Sequence, residues 1–392
     1  MTILQKQRMN YTFKNNAGKN KLMRNLTVFT LGGATQDIFI HYQDPESLVI
    51  KNKRETRAYL LLEKGAKITI EHIGYSTGGG AANTAMAFKK LGFSVATIIK
   101  TGAGKAGQYV RNHLHSCGID TQHMIQDKTM GTGLSYIIPS FEGDRTIFAY
   151  RGANETLTLK DIPFEALKQS DFLYVTPLSG QSADVLLPVV KFAKKHGLGV
   201  AVNPGIQQLS TGCQQLARAL KYVDMLVLNS QEAKIFLVSL ANQRLPKKLG
   251  GTIAPPARLS ELPQLIKSLV YIEDINFNLK DFCKEILHRG PSIVAVTNGE
   301  EGVYVAQDST IYFYPSLPTQ TVDSVGAGDA FGASFAASIF RGKPVQDAVM
   351  DGVINASSVI AHEDATSGLL TKKQINYRMK TIHKQLMKSF RL

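Results

Sequence analysis

An open, doubly wound α/β sheet, layered α/β/α and carrying a small β-sheet lid, is the fold this sequence predicts. From Leu26 onward, short apolar runs alternate with amphipathic stretches, the βαβ rhythm of a parallel sheet covered by helices. Two glycine-rich turns open helices, as at the strand-to-helix junctions of such folds. Two further segments break the rhythm with apolar-polar alternation and mark a second, smaller sheet.

The main-sheet strands are expected at Leu26–Leu31, Ser94–Lys100, Phe172–Thr176, Gly199–Asn203, Met225–Asn229 and Ile293–Asn298. Helical spacing falls between them at Ala82–Lys90, Gln108–Cys117, Ala183–His196 and Gln231–Leu240. Parallel neighbours need crossovers, and these helices supply them. The lid is expected from residues 38–76 and 129–151, where Ile38–Ile40, Ile68–Ile70, Leu134–Ile138 and Thr146–Tyr150 alternate, with a turn at Glu142-Gly143-Asp144. Residues 241–285 read as an insertion-like loop region, because Leu245–Gly251 and Ala254–Pro256 interrupt the periodic pattern. Residues 371–392 read as a basic amphipathic helix with Thr371 as N-cap and Ile375, Met379, Ile382 and Leu386 on one face, packed on its own domain.

The chain has 392 residues and a formal net charge of +14. That excess lies at the ends: residues 1–25 hold six Lys/Arg and no acid, and residues 371–392 hold seven and no acid. The body between them is nearly neutral, which excludes a basic nucleic-acid groove. The first 25 residues are expected to be a disordered extension. No apolar run approaches the ~18 residues needed to span a bilayer, and the N-terminal segment lacks the apolar core of a secretory signal. Cys117, Cys213 and Cys283 form neither a disulfide framework nor a CxxC pair, so reduced thiols and a cytoplasmic location are expected.

Several chemistries are excluded by motif. Gly102-Ala103-Gly104-Lys105-Ala106-Gly107 matches GxGxxG, but no second strand ending in an acid follows about twenty residues on, so it is not a dinucleotide site. There is no GxxxxGK[ST], HExxH or GxSxG. His113 and His115 are two apart on a helix, face different ways and cannot share a metal; they read as surface histidines.

The strongest stretch runs from Thr321 to Phe335, where Gly326-Ala327-Gly328 opens a helix of small residues. Backbone N–H groups at such an opening form an anion site. Asp329 stands inside it, and a carboxylate there suits taking a proton from a hydroxyl that attacks a bound phosphate. Thr77-Gly78-Gly79-Gly80-Ala81-Ala82-Asn83 is the second glycine-rich opening, where a ligand can touch backbone and Asn83 offers both donor and acceptor.

With these two signatures about 240 residues apart, the sequence resembles the PfkB, or ribokinase-like, family of carbohydrate and nucleoside kinases. The resemblance runs from about Leu26 to Leu370, a single ribokinase-like kinase domain, and includes Gly32–Asp37, Asn203-Pro204, Asn229–Glu232 and Val296–Gly302. It implies ATP-dependent phosphorylation of an alcohol, with Asp329 as base and Gly326, Ala327 and Gly328 as anion hole. Asp37, Gly79, Gly80 and Asn83 would bind the acceptor, and Thr297, Gly299 and Asn229 the nucleotide, with Asn355 near the adenine. Glu232 and Asn229 would hold Mg2+ through water, and Asp323 would help bind K+. The chain departs from the family at Gly104, where the pattern G-x-D-x-x-G has an aspartate.

The resemblance leaves the acceptor open. A ribokinase-like sugar kinase is expected first. An adenosine or other nucleoside kinase would use a more apolar pocket, for which Phe39, Tyr42 and Tyr136 are candidates. A phosphosugar kinase would need a Lys/Arg cluster for the second phosphate, to which Arg145 or Arg151 of the lid would contribute. A non-catalytic binder is disfavoured by the intact Asp329 turn. No membrane or nucleic-acid partner is expected; the resemblance is compatible with a homodimer through the lid sheets and leaves a monomer open.

Overall fold

The computed structural model describes residues 25–42, 46–51, 56–139, 145–244, 263–267, 270–272, 275–382 and 386–392. The basic extension at 1–24, the Glu142-Gly143-Asp144 turn, and Leu245–Gly251 and Ala254–Pro256 lie outside the described residues.

The main sheet has nine strands in the order Lys388–Arg391, Thr310–Pro315, Gly302–Gln307, Ile293–Thr297, Met225–Asn229, Gly199–Val202, Phe172–Val175, Thr27–Leu31 and Ser94–Ile98. The last six are mutually parallel, and the first three are antiparallel additions to one edge. All six expected strands are present, each within about two residues of its expected ends. Their side chains alternate between two cores. Val28, Phe172, Ala201 and Ala295 pack beneath helices Gly80–Lys90, Ala327–Phe340 and Val345–Val359, while Phe29, Leu173, Val200 and Val294 face helices Leu186–Lys195, Cys213–Ala219 and Leu279–Arg289. That gives the α/β/α layering.

Three features differ from the sequence reading. Lys100 leaves the main sheet and starts a short strand, Lys100–Gly102, paired with Ile125–Asp127. The hairpin Gly302–Gln307/Thr310–Pro315 turns through Asp308, whose φ of 53° is left-handed, and no sequence element had been placed there. The C-terminal helix stops at Met379, and Lys388–Arg391 is an edge strand paired with Thr310–Phe313. Ile375 is buried as expected, but Leu386 is exposed, so the single amphipathic helix to the C-terminus is corrected.

The lid is a four-stranded sheet in the order Arg145–Tyr150, Gly133–Pro139, Thr35–Tyr42 and Ile70–Gly78, with a separate hairpin, Glu46–Lys51/Thr56–Leu61. Its first strand begins at Thr35, so Asp37 belongs to the lid sheet itself.

Candidate active site

The anion turn is built by backbone constraint. Gly326 caps helix Ala327–Phe340 with φ 77°, and a Cβ there would lie 2.6 Å from Ala365 Cα. The N–H groups of Val322 and Asp323 donate to the Ile360 carbonyl at 2.7 and 3.1 Å, tying the approach of the turn to the end of helix Val345–Val359. Asp329 sits in the first turn, and its Oδ2 accepts a 2.8 Å hydrogen bond from Asn83 Nδ2. Burial pushes the Asp329 carboxyl up to about 6; the Asn83 bond opposes this and the nearby Glu232 charge adds to it. Such a group is ionised at neutral pH yet still basic enough to accept a proton, a tuning suited to a general base.

The second glycine-rich opening meets it. Asn83 is buried in helix Gly80–Lys90, and while its Nδ2 holds Asp329, its Oδ1 is buried without a hydrogen-bond partner among the described residues. An acceptor so placed suits a donor from a ligand. Gly79, at φ 88°, precedes the helix, where a Cβ would lie 2.6 Å from Ala34 Cα. Asp37 stands opposite Ser76 and Ser135 in the lid sheet and is buried, with Thr35 Oγ1 donating to its Oδ1 at 2.7 Å. Gly78 is open for this carboxylate, since a Cβ there would be 1.8 Å from Asp37 Oδ2. Burial raises the Asp37 pKa, hydrogen bonds from Thr35 and Ser135 oppose it, and the charge of Asp364 raises it further.

On the other side, Asn229 and Thr297 are register partners at the C-terminal ends of adjacent parallel strands, where ligands of open α/β sheets bind. Gly299 follows at φ 53° with no heavy atom of the described residues within 4 Å of a Cβ position, leaving room beside the turn. Asn229 and Glu232 hold each other: Asn229 N–H donates to Glu232 Oε2 and Glu232 N–H to Asn229 Oδ1, both at 2.8 Å. Burial raises the Glu232 pKa, which the Asn229 bond opposes. Glu232, whose charge reaches Asp329, is the carboxylate that would hold a hydrated Mg2+. Among the described residues no three His, Cys, Asp or Glu side chains converge on a point, so most of its ligands would come from water and phosphate.

Asn355 is corrected. It is fully buried, its Nδ2 donates to Ser334 Oγ at 2.7 Å, and its Oδ1 accepts from Leu370 N–H at 2.8 Å. This amide joins helices and leaves no side-chain atom for an adenine. Asp323 does not present an open carboxylate either: its Oδ1 accepts from Val325 N–H at 2.6 Å and is ion-paired with Arg145. Arg151 is well exposed and reaches Glu155 at 3.9 Å, while Arg145 is paired with Asp323. Phe39 shares the face of Asp37 and is buried, whereas Tyr136 lies beside Ile38 on the opposite, exposed face; the three aromatic candidates line no common pocket. His115 is exposed, but His113 is half-buried with its Nδ1 2.8 Å from Thr77 Oγ1, beside the Gly78–Gly80 turn. Asn154 had escaped notice: its Oδ1 accepts from Ala34 N–H at 3.0 Å and its Nδ2 donates to Ala34 O at 2.9 Å, clamping the strand end that faces Gly79. The signal was an amide directly after a lid strand, in Gly152-Ala153-Asn154, a place where loops meet sites.

Known proteins are similar to this chain in sequence and in fold. The chain matches the family described as pfkB family carbohydrate kinase over residues 50–254 and 259–372. It is 25% identical to the ribokinase of Haemophilus influenzae over 316 residues, covering 79% of this chain and 89% of that one. It is likewise 25% identical to the Bacillus subtilis ribokinase over 304 residues, 76% and 86% of the two chains. In fold it is similar to the Arabidopsis thaliana ribokinase solved with ribose and ATP, at a TM-score of 0.68 and 18% identity, over 91% of this chain and 99% of that one. No helix among the described residues is long and apolar enough to cross a membrane. With the family model matched over most of its length and the lid and sheet arranged as above, the chain belongs to the pfkB family of carbohydrate kinases, ribokinase-like phosphotransferases that act on an alcohol group.

Proposed function

We propose that the protein transfers the γ-phosphoryl group of ATP to a hydroxyl of a small sugar, with Asp329 as general base. The observation that carries this reading is the Asn83–Asp329 hydrogen bond. One amide holds the base with its Nδ2 and keeps its Oδ1 for the acceptor, so the attacking hydroxyl and the group that deprotonates it are indexed to the same side chain. Asp329 takes the proton as the oxygen attacks, and the N–H groups of Gly326, Ala327 and Gly328 stabilise the charge on the transferring group. Asp37, with the backbone of Gly79 and Gly80, orients the acceptor by its other hydroxyls. Asn229, Thr297 and Gly299 face the nucleotide phosphates, and Glu232 anchors hydrated Mg2+, whose charge offsets that of the phosphates when bound.

The lid sheet excludes water, the competing nucleophile. A polyhydroxyl acceptor is favoured over a nucleoside because Asp37 and Asn83 are the polar groups on the acceptor side, while the aromatic candidates do not gather there. The outer lid face carries an apolar row, Phe148, Tyr136, Ile38 and Tyr75, in cross-strand register, and Phe148, Tyr136 and Tyr75 are exposed. We assign this row to a homodimer contact. The test is ADP release with Mg-ATP against ribose, deoxyribose, fructose, other sugars, adenosine and sugar phosphates. Stimulation by a free sugar is expected; stimulation by adenosine alone would replace the sugar by a nucleoside, and silence with ATP still bound would contradict the kinase reading.

A further inference from the structure

One ion pair joins the lid to the anion turn. Arg145 opens the lid strand Arg145–Tyr150, and its guanidinium is paired with the Asp323 carboxylate and lies 3.5 Å from Ser324 Oγ. The two side chains are only 17% and 14% exposed, so this is not a solvated surface contact. Asp323 in turn accepts from Val325 N–H, the residue that leads into Gly326. The order is therefore lid arginine, carboxylate, then the backbone that shapes the anion turn.

The family resemblance places a monovalent cation at Asp323, and the residues present do not fit one. One oxygen of the carboxylate, Oδ1, already faces a permanently charged, planar donor in ion-pair contact, and a second cation on the same carboxylate would meet a like charge in a half-buried place. We propose that Arg145 supplies at Asp323 the positive charge that K+ would otherwise supply, so that transfer needs no monovalent cation and seating of the lid completes the electrostatics of the turn. Arg145 acts here as a positioning residue: it holds Asp323, and Asp323 holds the Val325 N–H. The inference rests on the kinase reading for its activity test, but not for its binding test.

Both tests use the full chain in KCl, NaCl and choline chloride at equal ionic strength. ADP release with an accepted sugar is expected to differ by less than about twofold among the salts for the wild type, because a tethered guanidinium needs no ion. Arg145→Gln should be about tenfold slower or worse in choline chloride and regain several-fold in KCl, since it bares the carboxylate. Arg145→Lys, which keeps the charge, should stay insensitive to K+. Thermal melting in the same salts should show K+-selective stabilisation of Arg145→Gln and none of the wild type. A wild type stimulated about fivefold or more by K+, or stabilised selectively by it, overturns the proposal, as does an Arg145→Gln enzyme that matches the wild type in choline chloride. If no variant releases ADP, the kinase reading fails, and the melting series alone still decides whether K+ binds at Asp323.

Discussion

Of the glycine-rich turns that open helices in this protein, Gly326–Gly328 and Gly102–Gly107 are put to opposite uses. At Gly326-Ala327-Gly328 the approach to the turn is fixed from outside, by Ile360 and Asp323, and the following helix places Asp329 against Asn83 of another helix. At Gly102–Gly107 the turn is closed on itself and on the base of the lid. Gly102 N–H donates to Thr132 Oγ1 at 3.0 Å, and a Cβ on Gly107 would sit 2.1 Å from the Gly102 carbonyl oxygen. A Gly-Ala-Gly opening therefore makes a candidate ligand cradle where a buried acid and amide face it and a packing joint where the neighbouring loop closes against it. Glycines permit close approach; what approaches decides the function.

The largest effect that would sharpen this contrast is Asp329→Asn, expected to lower turnover by about 10²–10⁴ with ATP affinity nearly unchanged, as measured by steady-state ADP release and by ATP titration. Gly107→Ala belongs to the other kind of turn. It should cost about 2–3 kcal/mol of stability through the Gly102 clash while the folded enzyme keeps its turnover within about twofold, as denaturant melts and active-site-normalised rates would report.

Asp329→Asn should also stabilise the fold. The Asp329 carboxyl is pushed up to about 6, so the folded chain holds that proton more tightly than the unfolded chain, and its contribution, present below about pH 4, is lost as pH rises through 6. Removing the buried charge should gain about 1–2 kcal/mol at pH 8 and nothing at pH 4 in urea melts. Gly104→Asp has the smallest expected effect. No heavy atom lies within 4 Å of a Cβ there and the backbone is extended, so an aspartate can cap helix Lys105–Ser116 for a few tenths of a kcal/mol, read as a slight rise in melting temperature. Lost turnover in that variant would show that the second turn takes part in the chemistry.

The sequence disclosed most of what is local. Strand runs buried on both faces, such as Met225–Leu228, are continuous in the sequence and so were readable, as was each glycine turn with its acid or amide. Partnerships across the fold were not. Asn83 and Asp329 are 246 positions apart, Arg145 and Asp323 178, and spacing carries no sign that either pair meets. The family resemblance alone places Asn355 near an adenine, and its two bonds to Ser334 and Leu370 are structural. The edge strand Lys388–Arg391 escaped because its Lys and Arg suit a solvated helix equally well, and only pairing with Thr310–Phe313 decides between them.

The central claim is that Asp329 is the base, tuned by burial against the Asn83 bond. The most direct measurement is the pH dependence of kcat for the wild type and for Asn83→Ala. The base must be ionised to act, so kcat should fall as pH drops through about 6, and loss of the Asn83 bond, which holds the pKa down, should move that limb to higher pH. A kcat that stays flat down to pH 5, or a limb that Asn83→Ala leaves in place, would contradict the account.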